Sequence, residues 1–101
     1  MEIIANYKIK NIMGTAHNNK EFRQNRAVAL FIYDNICQCC KKHFTDLEVH
    51  HDDGNNKNNE ILNLIPLCPK DHRMIEKTNF KFNKQKNEIV QLLKFRIIDF
   101  L

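Results

Sequence analysis

The feature that most constrains this chain is a fixed order of metal-binding residue types in one short stretch. Cys37 and Cys40 form a CxxC pair, His50 and His51 are adjacent, Asn63 follows, and Cys68 precedes His72 by four positions. Zinc takes four thiolate, imidazole or carboxylate ligands in a tetrahedron, and CxxC is the shortest spacing at which a tight turn aims two thiolates at one ion. A chain of 101 residues makes one domain with a modest core, for which a bound metal is a common remedy. The order therefore predicts a single small domain stapled by zinc through Cys37, Cys40 and Cys68, with imidazoles left for a second task. Asp71, one helical turn past Cys68, and His43 compete for the fourth zinc position, and Cys39 is left over.

Four cysteines in CxxC and CxxxH arrangements fit a metal in a reducing compartment better than disulfides, although Cys37 and Cys40 also admit a thiol redox pair. The amino-terminal MEIIANYKIKN has no apolar run beyond three residues, and no stretch approaches the ~18 apolar residues of a membrane span. A cytoplasmic protein without membrane contact is expected. Lys plus Arg total 16 against 12 Asp plus Glu, and the net charge of +4 suits a polyanionic partner.

Residues 1–17 carry a short alternation ending at Gly14, which fits a peripheral strand or an arm. From Asn18 to Tyr33 an asparagine cap and apolar positions at Phe22, Val28, Leu30, Phe31 and Ile32 predict a helix. KKHFTDLEVHH, residues 41–51, alternates as a half-buried strand would, which sends His50 and His51 to opposite faces. DDGNNKNN is a polar loop and ILNLIPLC a second strand. Pro69 suits the first turn of a helix that places His72 and Glu76 at i and i+4 on one face. Ile89, Leu92, Leu93, Ile97 and Phe100 recur at helical spacing and predict a terminal helix packed on the core.

Residues 37–76, CQCCKKHFTDLEVHHDDGNNKNNEILNLIPLCPKDHRMIE, resemble the HNH endonucleases, whose ββα-metal finger runs from a CxxC through (E)VHH, a loop and NL to LCPxxHRxxH. RAVALFIYDNI, residues 26–36, is similar to the lead-in that precedes that CxxC. The resemblance implies an α+β fold: a small single domain with a ββα-metal finger, an N-terminal helix, a C-terminal helix and a structural zinc site. It sets 18–101 as the nuclease domain and 37–77 as the motif core. It further implies that Cys37, Cys40 and Cys68 hold structural Zn²⁺, that His50 and His72 hold a catalytic Mg²⁺ or Mn²⁺, that His51 is the general base and that Asn63 is the middle asparagine of the motif.

Three positions depart from the family pattern. Asp71 stands where a zinc-binding Cys or His often sits, and a carboxylate can ligate zinc. Glu76 replaces a further histidine and is a harder ligand that suits Mg²⁺ or Mn²⁺. Lys41 follows the CxxC where Gly commonly supplies a positive backbone angle.

Phosphodiester hydrolysis needs a base near neutral pH and a divalent cation to neutralise charge on the phosphate and leaving oxygen. A histidine base must also be held in one orientation, a bracing role open to Asn63. The expected partner is DNA, double-stranded, with a homodimer permitting double-strand cuts. Arg23, Arg26, Lys41, Lys42, Lys57, Arg73, Lys77, Lys81, Lys84 and Lys86 are available for phosphates, with Arg26, Lys42, Lys57, Arg73 and Lys77 the foremost candidates. No base-reading module is visible. The competing reading is a catalytically inactive, zinc-stabilised module that binds nucleic acid or protein.

Overall fold

A computed structural model describes residues 19–98, so the arm over 1–17, the Asn18 cap and Phe100 lie outside the described residues. Helix α1 (Asn19–Ile32) leads to strand β1 (Glu48–His51), a 3-10 turn (Ile61–Asn63), strand β2 (Leu64–Leu67), helix α2 (Pro69–Thr78) and helix α3 (Lys86–Ile98). The result is an α+β domain in which the described helices clasp a two-stranded antiparallel sheet.

Strand register decides what each side of the sheet can do. Glu48 pairs with Leu67, Val49 with Pro66, His50 with Ile65 and His51 with Leu64. Directly paired residues share a face and neighbours along a strand alternate, so Val49, His51 and Leu64 face one way and Glu48, His50, Ile65 and Leu67 the other. The first face packs on α1, where Ala29, Val49 and Leu64 form a buried cluster with Phe22 against it. The second packs on α2 and the cysteine turn, through Cys37, Leu47, Ile65, Leu67, Cys68 and Ile75. A third cluster, Ile32, Tyr33, Ile61, Ile89 and Leu93, fastens α3 to α1 with Leu92 and Ile97 beside it. With both sides covered, every residue of β2 is buried.

Helix ends follow their sequence signals. At the end of α1, Asp34 and Asn35 take φ of 55° and 53°, and the Asn35 N–H returns to the Leu30 carbonyl at 3.0 Å. This 6→1 bond is a common way to satisfy terminal carbonyls. Cys68 caps α2 with Pro69 behind it, and Asn79 closes that helix in the left-handed conformation at φ 58°.

Two expectations need correction. Strand pairing does not extend over residues 41–51, because the chain leaves a tight turn over 37–42, stitched by the Cys37 N–H to the Lys42 carbonyl at 2.9 Å and the Lys41 N–H to the Cys37 carbonyl at 2.8 Å, and then bends before Glu48. Alternation there reflects a hairpin bridge between Ile36 and His43 rather than a strand. Residues 61–63 form a 3-10 turn instead of the start of the second strand, with the Asn63 N–H bonded to the Glu60 carbonyl at 2.9 Å.

Candidate active site

The cysteine turn and the start of α2 converge. One ligand atom each from Cys37, Cys40, Cys68 and Asp71 lie within 4.8 Å of one another. Lys41 adopts φ 62°, so the turn keeps its shape without glycine, at a strain of about 1 kcal/mol. The Gln38 N–H reaches the Pro66 carbonyl at 2.9 Å and anchors the turn to β2. Burial works against charge on Cys37, yet backbone N–H groups of Cys40, Cys68 and Cys39 outweigh it and hold that thiol below its usual value. Burial pushes Cys68 up to about 11, with the adjoining Asp71 and Cys37 adding to it. Hydrogen bonds from Cys37 and Cys68 keep Asp71 below the usual carboxylate range, the Cys37 Sγ lying 3.3 Å from Asp71 Oδ2. Three sulfurs and a carboxylate this close cannot all ionise without a cation, so the donor set fits zinc. His43 is exposed, pairs with Ile36 and is absent from the cluster; Cys39 is exposed and outside it too.

A second group, His50, His72 and Glu76, also has ligand atoms within 4.8 Å of one another. It gathers on the α2 face of the sheet, where β1 supplies His50 and one face of α2 supplies His72 and Glu76. The rings of His50 and His72 meet edge to face at 5.4 Å between centroids. His72 Nδ1 lies 2.8 Å from Glu48 Oε1, and its Nε2 lies 3.0 Å from Glu76 Oε1. A neutral imidazole donates only once. If Glu48 takes the Nδ1 proton, Nε2 and the Glu76 carboxylate present two lone pairs to the same space, which calls for a cation. His50 Nε2 is buried with no hydrogen-bond partner, and burial followed by the neighbouring His72 lowers the pKa of His50 and keeps it neutral. An orphaned imidazole nitrogen beside that pair fits a divalent ion, with Glu48 supporting His72 from behind as carboxylates support metal-bound histidines.

His51 occupies the opposite face, stacked on Phe22 of α1 with ring centroids 5.7 Å apart. Its Nε2 lies 2.8 Å from Asn59 Oδ1. An amide oxygen only accepts, so Nε2 carries the proton and Nδ1 holds the free lone pair. Asn59 is buried and is itself held by Asn25 of α1, whose Nδ2 donates to the Asn59 carbonyl at 2.6 Å. Because β1 ends at His51, both histidines border one cleft of about 410 Å³ with His72, Glu76, Phe80 and Lys81.

Asn63 does not touch His51. Its Oδ1 accepts from the Asp53 N–H at 2.9 Å, and its Nδ2 donates to Asp53 Oδ1 at 3.0 Å and to the Asn58 carbonyl at 2.9 Å. It therefore braces the loop that carries Asn59. Asp52, next along, binds the far side: its carboxylate accepts the N–H groups of Phe82 and Asn83 at 2.8 and 2.9 Å.

Of the foremost basic candidates, Arg26 is engaged internally, donating to the Leu47 carbonyl at 2.9 Å. Lys42, Lys57, Arg73 and Lys77 are exposed but do not line the cleft. Sequence reasoning missed Glu48, Asn59 and Asp52. Glu48 had a signal in its place two residues before His50 on a strand, which puts it on the same face. Asn59 had none, being one of several asparagines in a polar loop.

No helix among the described residues is long and apolar enough to cross a membrane. No curated protein and no solved structure matches the chain. Residues 37–78 match the family model of the HNH endonucleases, and this span holds the cysteine turn, β1, β2 and α2 with both metal-binding clusters.

Proposed function

We propose that this protein is a metal-dependent endonuclease that hydrolyses phosphodiester bonds in double-stranded DNA. The observation that carries the reading is the convergence in one cleft of the orphaned His50 Nε2, the His72–Glu76 pair and the oriented ring of His51. Cys37, Cys40, Cys68 and Asp71 would hold structural zinc away from the cleft, which would secure the turn to β2 and α2. His50, His72 and Glu76 would hold Mg²⁺ or Mn²⁺, which supplies neutralisation of charge on the phosphate and on the departing 3′ oxygen.

This chain's own residues do the rest. Asn59 fixes His51 as the tautomer with Nδ1 unprotonated, and Nδ1 takes a proton from water as its oxygen attacks phosphorus in line. Phe22 limits rotation of the ring by stacking on it. The phosphorus–3′-oxygen bond breaks and the departing oxygen takes a proton from solvent, leaving a 5′ phosphate and a 3′ hydroxyl. Glu48 holds His72 so that its Nε2 stays aimed into the cleft.

The test is cleavage of supercoiled plasmid by zinc-loaded protein with Mg²⁺ or Mn²⁺, beside a His51→Ala control. Cutting by wild type alone supports the reading. Cutting by both removes His51 as base. Cutting by neither, with folded zinc-loaded protein, favours a catalytically inactive binding module, which the zinc cluster would serve equally well.

A further inference from the structure

The cleft contains one basic side chain that lies outside the matched family segment. Lys81 sits in the connector between α2 and α3, three residues past the end of that segment, and among the described residues it is the only Lys or Arg lining the cleft beside His50, His51, His72 and Glu76. Its side chain is exposed, and no hydrogen bond or ion pair among the described residues engages its ammonium.

The connector is held rather than loose. Asp52, the residue after His51, takes the N–H groups of Phe82 and Asn83, which fixes the backbone one residue from Lys81 directly to the end of β1. Asn79 and Asn83 take left-handed backbone angles of 58° and 51° on either side and bend the segment back over the cleft. Phe80 packs edge to face on Phe82 at 4.9 Å. An ammonium is therefore carried to the site on a braced segment, while Glu76, the carboxylate that lines the cleft with it, is engaged with His72, and Asp52 is engaged with backbone N–H groups. No ion pair among the described residues neutralises Lys81.

We propose that Lys81 binds a non-bridging oxygen of the phosphate that is cut. This rests on the nuclease reading and deepens it: the ammonium is a fixed charge placed where negative charge develops on the phosphate in the transition state, so it stabilises that state more than the bound substrate.

The experiment compares wild type, Lys81→Ala, Lys81→Arg and Lys94→Ala, a control on the exposed side of α3, on two substrates with Mn²⁺. One is supercoiled plasmid. The other is bis(4-nitrophenyl) phosphate, which offers the reacting phosphate and no flanking ones. The expected result is a loss of about 10²-fold in kcat for Lys81→Ala on both substrates, substantial recovery in Lys81→Arg, and wild-type rates in Lys94→Ala. Loss on plasmid alone, with a raised KM and a shallower salt dependence, makes Lys81 a contact to a flanking phosphate and overturns the proposal. Equal rates for Lys81→Ala and an active wild type also overturn it. A wild type inactive on both substrates overturns the nuclease reading itself, and the role of Lys81 with it.

Discussion

Replacing Asn59 by aspartate places a negative charge beside the proposed base and tests the geometry on which the mechanism depends. Asn59 Oδ1 lies 2.8 Å from His51 Nε2, so Asn59→Asp keeps the shape and the hydrogen bond and adds a negative charge there. Two unit charges about 4 Å apart interact by roughly 4 kcal/mol at an effective dielectric of about 20. His51 borders an open cleft and is only half-buried, so solvent screening reduces the effect to about 1–2 pH units, each worth about 1.4 kcal/mol. The sign follows from the roles: a carboxylate favours the imidazolium, whereas a general base must be neutral. The acidic limb of the pH profile for kcat/KM therefore moves up by about 1–2 units in Asn59→Asp. The variant cuts slowly at mildly acidic pH and regains rate as pH rises. The assay is plasmid cleavage across pH 5–9 at saturating Mn²⁺, with the melting temperature of the variant measured alongside. An unmoved acidic limb in a folded variant would refute the reasoning, because either His51 is not the base or Asn59 does not hold it.

Other perturbations give distinct readouts. Asp52→Ala leaves the N–H groups of Phe82 and Asn83 without their acceptor, at a cost of about 2 kcal/mol or roughly 10 °C in Tm for a domain of this size, measured by thermal circular dichroism. Asp71→Cys supplies a fourth thiolate to the cluster of Cys37, Cys40 and Cys68 and slows zinc loss to a chelator, followed with a colorimetric zinc indicator. Burial opposes charge on Asp53, but hydrogen bonds from Asn58, the Asn55 amide and Asn63 outweigh it and depress its pKa below 3.8. A depressed carboxyl contributes stability that is fully present above 3.8 and is lost as pH falls through its lower folded value. Amide exchange in the 52–60 loop therefore accelerates only below about pH 4, whereas the helices stay protected.

Much of the site was readable because its chemistry depends on spacing. CxxC, the adjacent histidines, and Cys68 with Asp71 and His72 at helical offsets fix which side chains share a turn or a face, and the structure gathers all but His51 into two clusters. Asp71 was separable from His43 only in three dimensions, because the hairpin pairs His43 with Ile36 on the outside of the turn. Strand lengths were overread where alternating residues 41–47 follow the cysteine turn with only an isolated bridge from His43 to Ile36, since period-2 patterning cannot tell a strand from a hairpin bridge. The partners of His51 and His72 were less accessible. Glu48 reaches His72 across 24 positions of sequence, and Asn59 reaches His51 only because Asn63 folds the polar loop back on itself. Lys81 stood among ten available cations, and only the Asp52 contact to the connector sets it apart.

The central claim is a division of labour, in which the cysteine cluster builds the fold and the His50–His72–Glu76 cluster cuts. Its most direct test is to count bound metal by native mass spectrometry for wild type and His50→Ala while measuring melting temperature and plasmid cleavage on the same samples. The account predicts that His50→Ala keeps its zinc and its fold, loses the exchangeable divalent ion and does not cut. A variant that cuts at the wild-type rate, or that sheds its zinc and unfolds, would contradict it.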